Sequence, residues 1–143
     1  MNSDIGTKMA QGAPAPDNVY VFPVTFAQQR LWFLDELQPN SAAYNVSWPL
    51  QMSGKLNVEA LQRSLDEIVR RHEVLRTTFA TRQGQPVQLV AKSGSVPLVL
   101  VDLSQHPARD SEVRRLTAEE AQRPIDLKSG PMVRAQATCQ AAP

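Results

Sequence analysis

The chain has 143 residues, one cysteine and a formal net charge of +1, with 15 basic side chains against 14 acidic ones. That size fits one domain that buries a core without disulfides or metals. The interleaved charges leave no electrostatic footprint for nucleic acid or an anionic membrane, and the lone Cys139 excludes an intrachain disulfide or a thiolate-rich metal site.

Residues 1–18 are rich in Gly, Ala, Pro and polar side chains and show no periodicity, so they read as a flexible lead-in. They lack the apolar core of a secretory signal, and no apolar run in the chain reaches bilayer-spanning length, which sets a cytoplasmic expectation. Residues 19–143 are then the folded unit. Thr25, followed three residues on by Gln28, has capping-box spacing and predicts a helix over 26–37, ended by Pro39. Phe26, Arg30, Phe33 and Leu37 lie along one face of it, beside Ala27, Leu31 and Leu34.

From Val46 to Met52, apolar Val46, Trp48, Leu50 and Met52 alternate with Ser47, Pro49 and Gln51. This period of two predicts a half-buried strand, with Pro49 marking an edge or a bulge. After Gly54, Asn57 caps a helix whose core face is Val58, Leu61, Leu65, Ile68 and Val69, with Leu56 placed to staple against Leu61. Its outer side pairs Glu59 with Arg63, Asp66 with Arg70 and Glu67 with Arg71, each worth a few tenths of a kcal/mol.

Residues 86–90 and 97–103 read as strands separated by Lys92-Ser93-Gly94-Ser95, and the run Leu98 to Val101 suits burial on both faces. Residues 107–122 read as a helix closed by Pro124, Gly130-Pro131 as a turn, and 132–139 as one more strand. Hairpin and crossover spacings alternate irregularly, so the fold class is α+β rather than a doubly wound parallel sheet.

Common catalytic patterns are missing. The glycines are scattered, with no GxGxxG or Walker loop, and no GxSxG elbow occurs. His72-Glu73 opens like a zinc-protease HExxH, but Arg76 stands where the second histidine must be. Two histidines and one cysteine support no hydrolytic triad. Neither a metal nor a directly bound cofactor is expected.

Two longer stretches carry more. Thr25-Phe26-Ala27-Gln28-Gln29-Arg30-Leu31-Trp32-Phe33-Leu34 and Arg71-His72-Glu73-Val74-Leu75-Arg76-Thr77-Thr78-Phe79 resemble, in order, the first two core motifs of condensation domains from nonribosomal peptide synthetases. These read roughly SxAQxRLWxL and RHExLRTxF; Thr25 replaces the usual Ser, and both residues cap helices. Ala43-Tyr44-Asn45-Val46, Pro124-Ile125-Asp126-Leu127 and Gly130-Pro131 also look like the family. The resemblance implies a chloramphenicol-acetyltransferase-like fold of two lobes, with a tunnel entered from opposite faces by phosphopantetheine arms of donor and acceptor carrier proteins. It implies amide formation from tethered acyl groups.

In that family an HHxxxDG motif supplies the base or positioning histidine, and this sequence holds no His-His pair. His106 and Asp110 share the internal HxxxD spacing but lack the preceding histidine and the following glycine, and read as a loop entering a helix. The motif is expected just beyond Cys139. The chain is therefore expected to be the early part of the amino-terminal lobe, inactive alone, with no catalytic residue of its own. Met1 ahead of the lead-in fits a domain that stands first in its polypeptide.

Gln28, Arg30, Trp32, Arg71, His72, Arg76 and Thr77 are read as positioning residues of the two motifs. Trp32 offers apolar area, Arg30 a fork of donors, His72 a partner for the last carbonyls of its helix, and Arg76 an ion pair between helix and strand. Three alternatives stay open: a separate polypeptide that supplies the rest of the domain, a non-enzymatic carrier-binding or interaction module, and a fragment of a coenzyme-A-dependent acyltransferase of the same superfamily.

Overall fold

A computed structural model describes residues 18–139, so the lead-in lies outside the described residues except for Asn18. Strand β1 (Val19–Pro23) precedes helix α1 (Phe26–Leu37), and helix α2 (Val58–Arg71) leads through a short 3-10 turn at Glu73–Arg76 into β2 (Thr77–Arg82). There follow β3 (Gln85–Ala91), β4 (Leu98–Asp102), helix α3 (Arg109–Gln122) and β5 (Ala135–Cys139). The mixture is α+β.

The strands form two sheets. In the first, β3 lies between β1 and β2 and is antiparallel to both. The two-residue loop Gln83-Gly84 joins β2 to β3 with positive φ at both positions, the backbone twist that a tight hairpin needs and that glycine adopts without strain. In the second sheet β4 and β5 run parallel, joined by a crossover through α3. The Leu103 N–H extends that ladder by donating to the Cys139 carbonyl.

α1 begins as its sequence predicts. The Gln28 N–H donates to Thr25 Oγ1 at 3.3 Å while the Thr25 N–H donates to Gln28 Oε1 at 2.8 Å, satisfying two donors at the helix start. Thr25→Ala is expected to cost about 1 kcal/mol in urea unfolding, and Thr25→Ser almost nothing. Equal losses from the two substitutions would contradict the cap's role. Asn57 caps α2 through the Ala60 N–H at 2.9 Å.

The buried apolar side chains among the described residues are Trp32, Val69, Val90, Val96 and Leu103, with Thr77 beside them. Gln62 on α2 ties the helix to the entry of β4: its Nε2 donates to the Val96 carbonyl at 3.0 Å and its Oε1 accepts from the Leu98 N–H at 2.7 Å. The core therefore sits along α2, β3 and the start of β4, with Trp32 packing on Phe79 of β2.

Several expectations need correction. Residues 46–52 form no strand; they run without ladder bonds, and Val46, Trp48, Leu50 and Met52 are exposed, Trp48 by 84%. A strand needs a partner, and this segment pairs with none of the described strands. Val99 and Leu100 of β4, which point to opposite faces of the strand, are likewise exposed, so the run is not buried on both faces as expected. The stripe Phe26, Phe33 and Leu37 on α1 faces outward, and Ile68, expected in the core, is exposed.

On α2 only Glu59–Arg63 and Glu67–Arg71 pair as expected. Arg70 turns back to Glu67, and Asp66 instead accepts from Gln62 Nε2. α3 starts two residues later than the pattern predicts, after Pro107 and Ala108. β1 has no counterpart in the sequence reading, although its run of β-branched and aromatic residues before Pro23 is the signal that marks it.

Candidate functional site

The two sequence motifs meet in space. α1 carries the first and the α2–β2 junction carries the second, and Trp32 and Phe79 join them with ring centroids 6.2 Å apart and planes tilted by 40°. Lys128 places its ammonium 5.4 Å from the centre of the Trp32 ring and 2.7 Å from Glu36 Oε1. The Glu36 carboxylate raises the Lys128 pKa above its ordinary value, and the ion pair between them places the ammonium over the ring. Beside it, burial raises the Asp35 carboxyl, and neighbouring Glu36 adds to the rise.

Gln28 spends its whole amide on structure. Besides the cap bond, its Nε2 donates to Gln88 Oε1 at 3.0 Å, and Gln88 in turn donates to the Pro23 carbonyl at 2.9 Å. The chain of amides fastens α1 to β1 and β3. Arg30 departs from expectation: it is exposed and makes no hydrogen bond or ion pair with the described residues. Its neighbours along the helix face outward, so its fork meets water.

At the second motif, Arg71 is a surface residue bonded to Glu67 at 2.7 Å. His72 closes α2 through its backbone, donating its N–H to the Ile68 carbonyl at 3.0 Å, and its own carbonyl accepts from Leu75. Arg76 is nine-tenths buried; Nη1 donates to the Ala91 carbonyl at the end of β3, and Nη2 lies 3.4 Å from Glu73 Oε1. The expected ion pair is thus long and exposed on the Glu73 side, and the carbonyl contact is the tighter anchor. Arg76 Nε is buried with no partner among the described residues. Thr77 is buried, and its hydroxyl donates to the Glu73 carbonyl at 2.8 Å, holding the 3-10 turn onto β2.

A third node was not legible as a site. Asn45 Nδ2 donates to the Ala121 and Arg123 carbonyls at 3.0 and 2.8 Å. Arg134 grips the same helix end: it bonds Glu120 and donates to the Pro124 and Arg123 carbonyls at 2.9 and 2.7 Å. The exposed last carbonyls of α3 are thereby satisfied by one amide and one guanidinium.

None of these arrangements assembles reaction chemistry. Among the described residues no group of His, Cys, Asp and Glu is placed to hold a metal. His106 sits in the turn before α3, with Nδ1 accepting from the Ala108 N–H at 3.2 Å. Two open surface depressions lie on the outer face of α2 and at the start of α3. The strongest carboxylate shift belongs to an exposed triad: hydrogen bonds from Arg70 and Arg71 lower Glu67 from 4.5 to about 2. A depressed carboxyl stabilises the fold in full above pH about 4.5 and loses that contribution as pH falls toward 2. An NMR titration of the Glu67 carboxyl carbon is expected to show a midpoint well under 4, and a midpoint at 4.5 would contradict the triad.

Comparison with known proteins decides the family. Residues 18–141 match the model of the family described as "Condensation domain". The chain belongs to the condensation-domain family. It is 46% identical over 121 residues to phosphinothricin tripeptide synthetase PhsC from Streptomyces viridochromogenes, covering 83% of this chain and 11% of the relative. It is 44% identical over 131 residues to chondramide synthase cmdD from Chondromyces crocatus, covering 90% of this chain and 3% of that protein. The chain thus spans a small part of these relatives.

Solved condensation domains share the fold. The starter condensation domain of rhizomide synthetase RzmA superposes with a TM-score of 0.75 at 18% identity, over 85% of this chain and 31% of that one. The first condensation domain of the calcium-dependent antibiotic synthetase also gives 0.75, at 22% identity, over 87% and 32%. These two-lobed, chloramphenicol-acetyltransferase-like domains place the chain's α+β unit as part of one lobe. No helix among the described residues is long and apolar enough to cross a membrane.

Proposed function

We propose that this condensation-domain chain is the early part of the amino-terminal lobe of an amide-forming acyltransferase, and that its motif residues position rather than react. The substrates are thioesters on the phosphopantetheine arms of donor and acceptor carrier proteins. The acceptor amine attacks the donor thioester carbonyl, the oxyanion collapses, the C–S bond breaks and the departing thiolate takes up the proton lost by nitrogen. Such a step requires two arms held in line, a group that handles the proton and donors for the oxyanion. An HHxxxDG motif, absent from residues 1–143, would meet the proton demand.

The supporting observation is the family match over residues 18–141. Within it Gln28, Trp32, Arg76 and Thr77 lock α1, the 3-10 turn and the first sheet together, and Arg71 and His72 finish α2. Arg30 remains available to a group outside the described residues. On this reading the chain alone is expected to form no amide.

The reading is tested by a chimera in which residues 19–139 replace the aligned region of PhsC. Amide formation from carrier-loaded substrates by the chimera, and none by the chain alone, is the expected result. A folded chimera that forms no amide would overturn the proposal.

A further inference from the structure

The loop that joins α3 to β5 reaches both sequence motifs. Its Leu127 carbonyl accepts from the Phe79 N–H at 2.8 Å, and the next residue, Lys128, places its ammonium 5.4 Å from the centre of the Trp32 ring. Leu127 and Lys128 therefore hold the two members of the ring pair through which the first motif meets the second. Two residues on, Gly130 has a φ of +65°, and a Cβ there would lie 3.2 Å from Thr78 Cγ2, so the loop is pressed onto β2 at a point that favours glycine.

The loop carries its own internal frame. The Asp126 carboxylate accepts from the Lys128 N–H at 2.8 Å and from the Ser129 hydroxyl at 2.6 Å, and the Asp126 carbonyl accepts from the Gly130 N–H at 2.8 Å. One aspartate thus shapes the turn from which Lys128 reaches back to α1, where Glu36 Oε1 receives it at 2.7 Å. Downstream, Arg134 fastens the chain to the end of α3, and β5 starts at the next residue. The approach to β5 is held from two sides, by α1 through Lys128 and by α3 through Arg134.

We propose that Lys128 is a positioning residue for amide formation: its ammonium, held between the Trp32 ring and Glu36, sets the placement of β5 and, through β5, of the proton-handling motif that follows it. This rests on the functional reading above. Magnitudes separate the role from a purely structural one. An ion pair whose side chains are 59% and 46% exposed adds little to stability. A misplacement of about 1 Å at the reacting groups, by contrast, is enough to slow a reaction strongly. Loss of the charge is therefore felt in rate before it is felt in unfolding. Direct capture of an anionic ligand fits worse, because the ammonium already faces Glu36 and draws further attraction from Asp126 and Asp35.

The PhsC chimera carrying Lys128→Met, which keeps the stem and drops the charge, tests this beside Lys128→Arg, which keeps a cation for both partners. Lys128→Met is expected to lower kcat about five- to tenfold, with KM for the loaded carriers and the urea midpoint close to those of the parent. The amides of Ala135–Cys139 are expected to exchange with deuterium faster by a similar factor. Lys128→Arg is expected to bring both readouts back to within about twofold of the parent. Adding Glu36→Gln to Lys128→Met is expected to cause no further loss, since both changes remove one contact. An unchanged kcat in Lys128→Met would overturn the inference and leave the functional reading standing. A loss confined to KM, which marks a substrate contact, or a loss that follows a fallen urea midpoint, which marks a structural one, would overturn it in the same way. A folded parent chimera that forms no amide would overturn the functional reading and this inference with it.

Discussion

Trp32→Ala is expected to cost about 3–5 kcal/mol of unfolding free energy, the largest loss from any single side chain of the two motifs. Trp32 is 7% exposed, packs on Phe79 and carries the Lys128 ammonium over its ring. Removing the indole leaves a cavity between α1 and the first sheet, and strands a cation whose remaining partner is the half-exposed Glu36. Urea unfolding followed by far-UV circular dichroism reads the change. Trp32→Phe, which keeps a ring against Phe79, is expected to lose less than half as much. A loss under about 1 kcal/mol for the alanine variant would mean that α1 is not held by this side chain.

The second large effect is at Arg76. Arg76→Ala is expected to destabilise by about 2–3 kcal/mol, the range for a lost charge-assisted hydrogen bond, together with the packing of its stem. Arg76→Lys is expected to recover part of this, because an ammonium can reach one partner but has no fork. Glu73→Gln should change stability by less than about 1 kcal/mol, since that carboxylate is mostly exposed and lies 3.4 Å away. This order separates anchoring through the Ala91 carbonyl from anchoring through the ion pair. A Glu73→Gln loss equal to that of Arg76→Ala would reverse the assignment.

Much of the local structure was legible because local rules governed it. Thr25 and Gln28 announce the start of α1, and Asn57 that of α2, each through backbone chemistry that does not depend on the rest of the fold. The failures over burial share one cause. The alternation of residues 46–52 and the apolar run of β4 encode surfaces that a neighbour must cover, and the described residues contain no such neighbour. The outward Phe26, 94% exposed, and Phe33 belong to the same class.

The candidate site was read in part. The motifs were recognisable as stretches, and in the structure Gln28, Arg76 and Thr77 are engaged by backbone or amide partners. The node of Asn45 and Arg134 on α3 was missed because residues far apart in sequence make it. Only the Asn45 position within Ala43-Tyr44-Asn45-Val46 hinted at it. The swapped partners on α2 reflect a different limit: at three and four residues' spacing Arg70 and Arg71 compete for one carboxylate, and the pattern alone does not choose between them.

The central claim is that these motifs position a reaction performed by residues outside them. Its most direct test is the single-turnover rate of amide formation by the PhsC chimera carrying His72→Ala, set beside a chimera with alanine at the second histidine of its HHxxxDG motif. A positioning role predicts a rate within a few-fold of the parent for the first and a fall of roughly 100-fold or more for the second. A fall of that size from His72→Ala, in a chimera of unchanged stability, would contradict it.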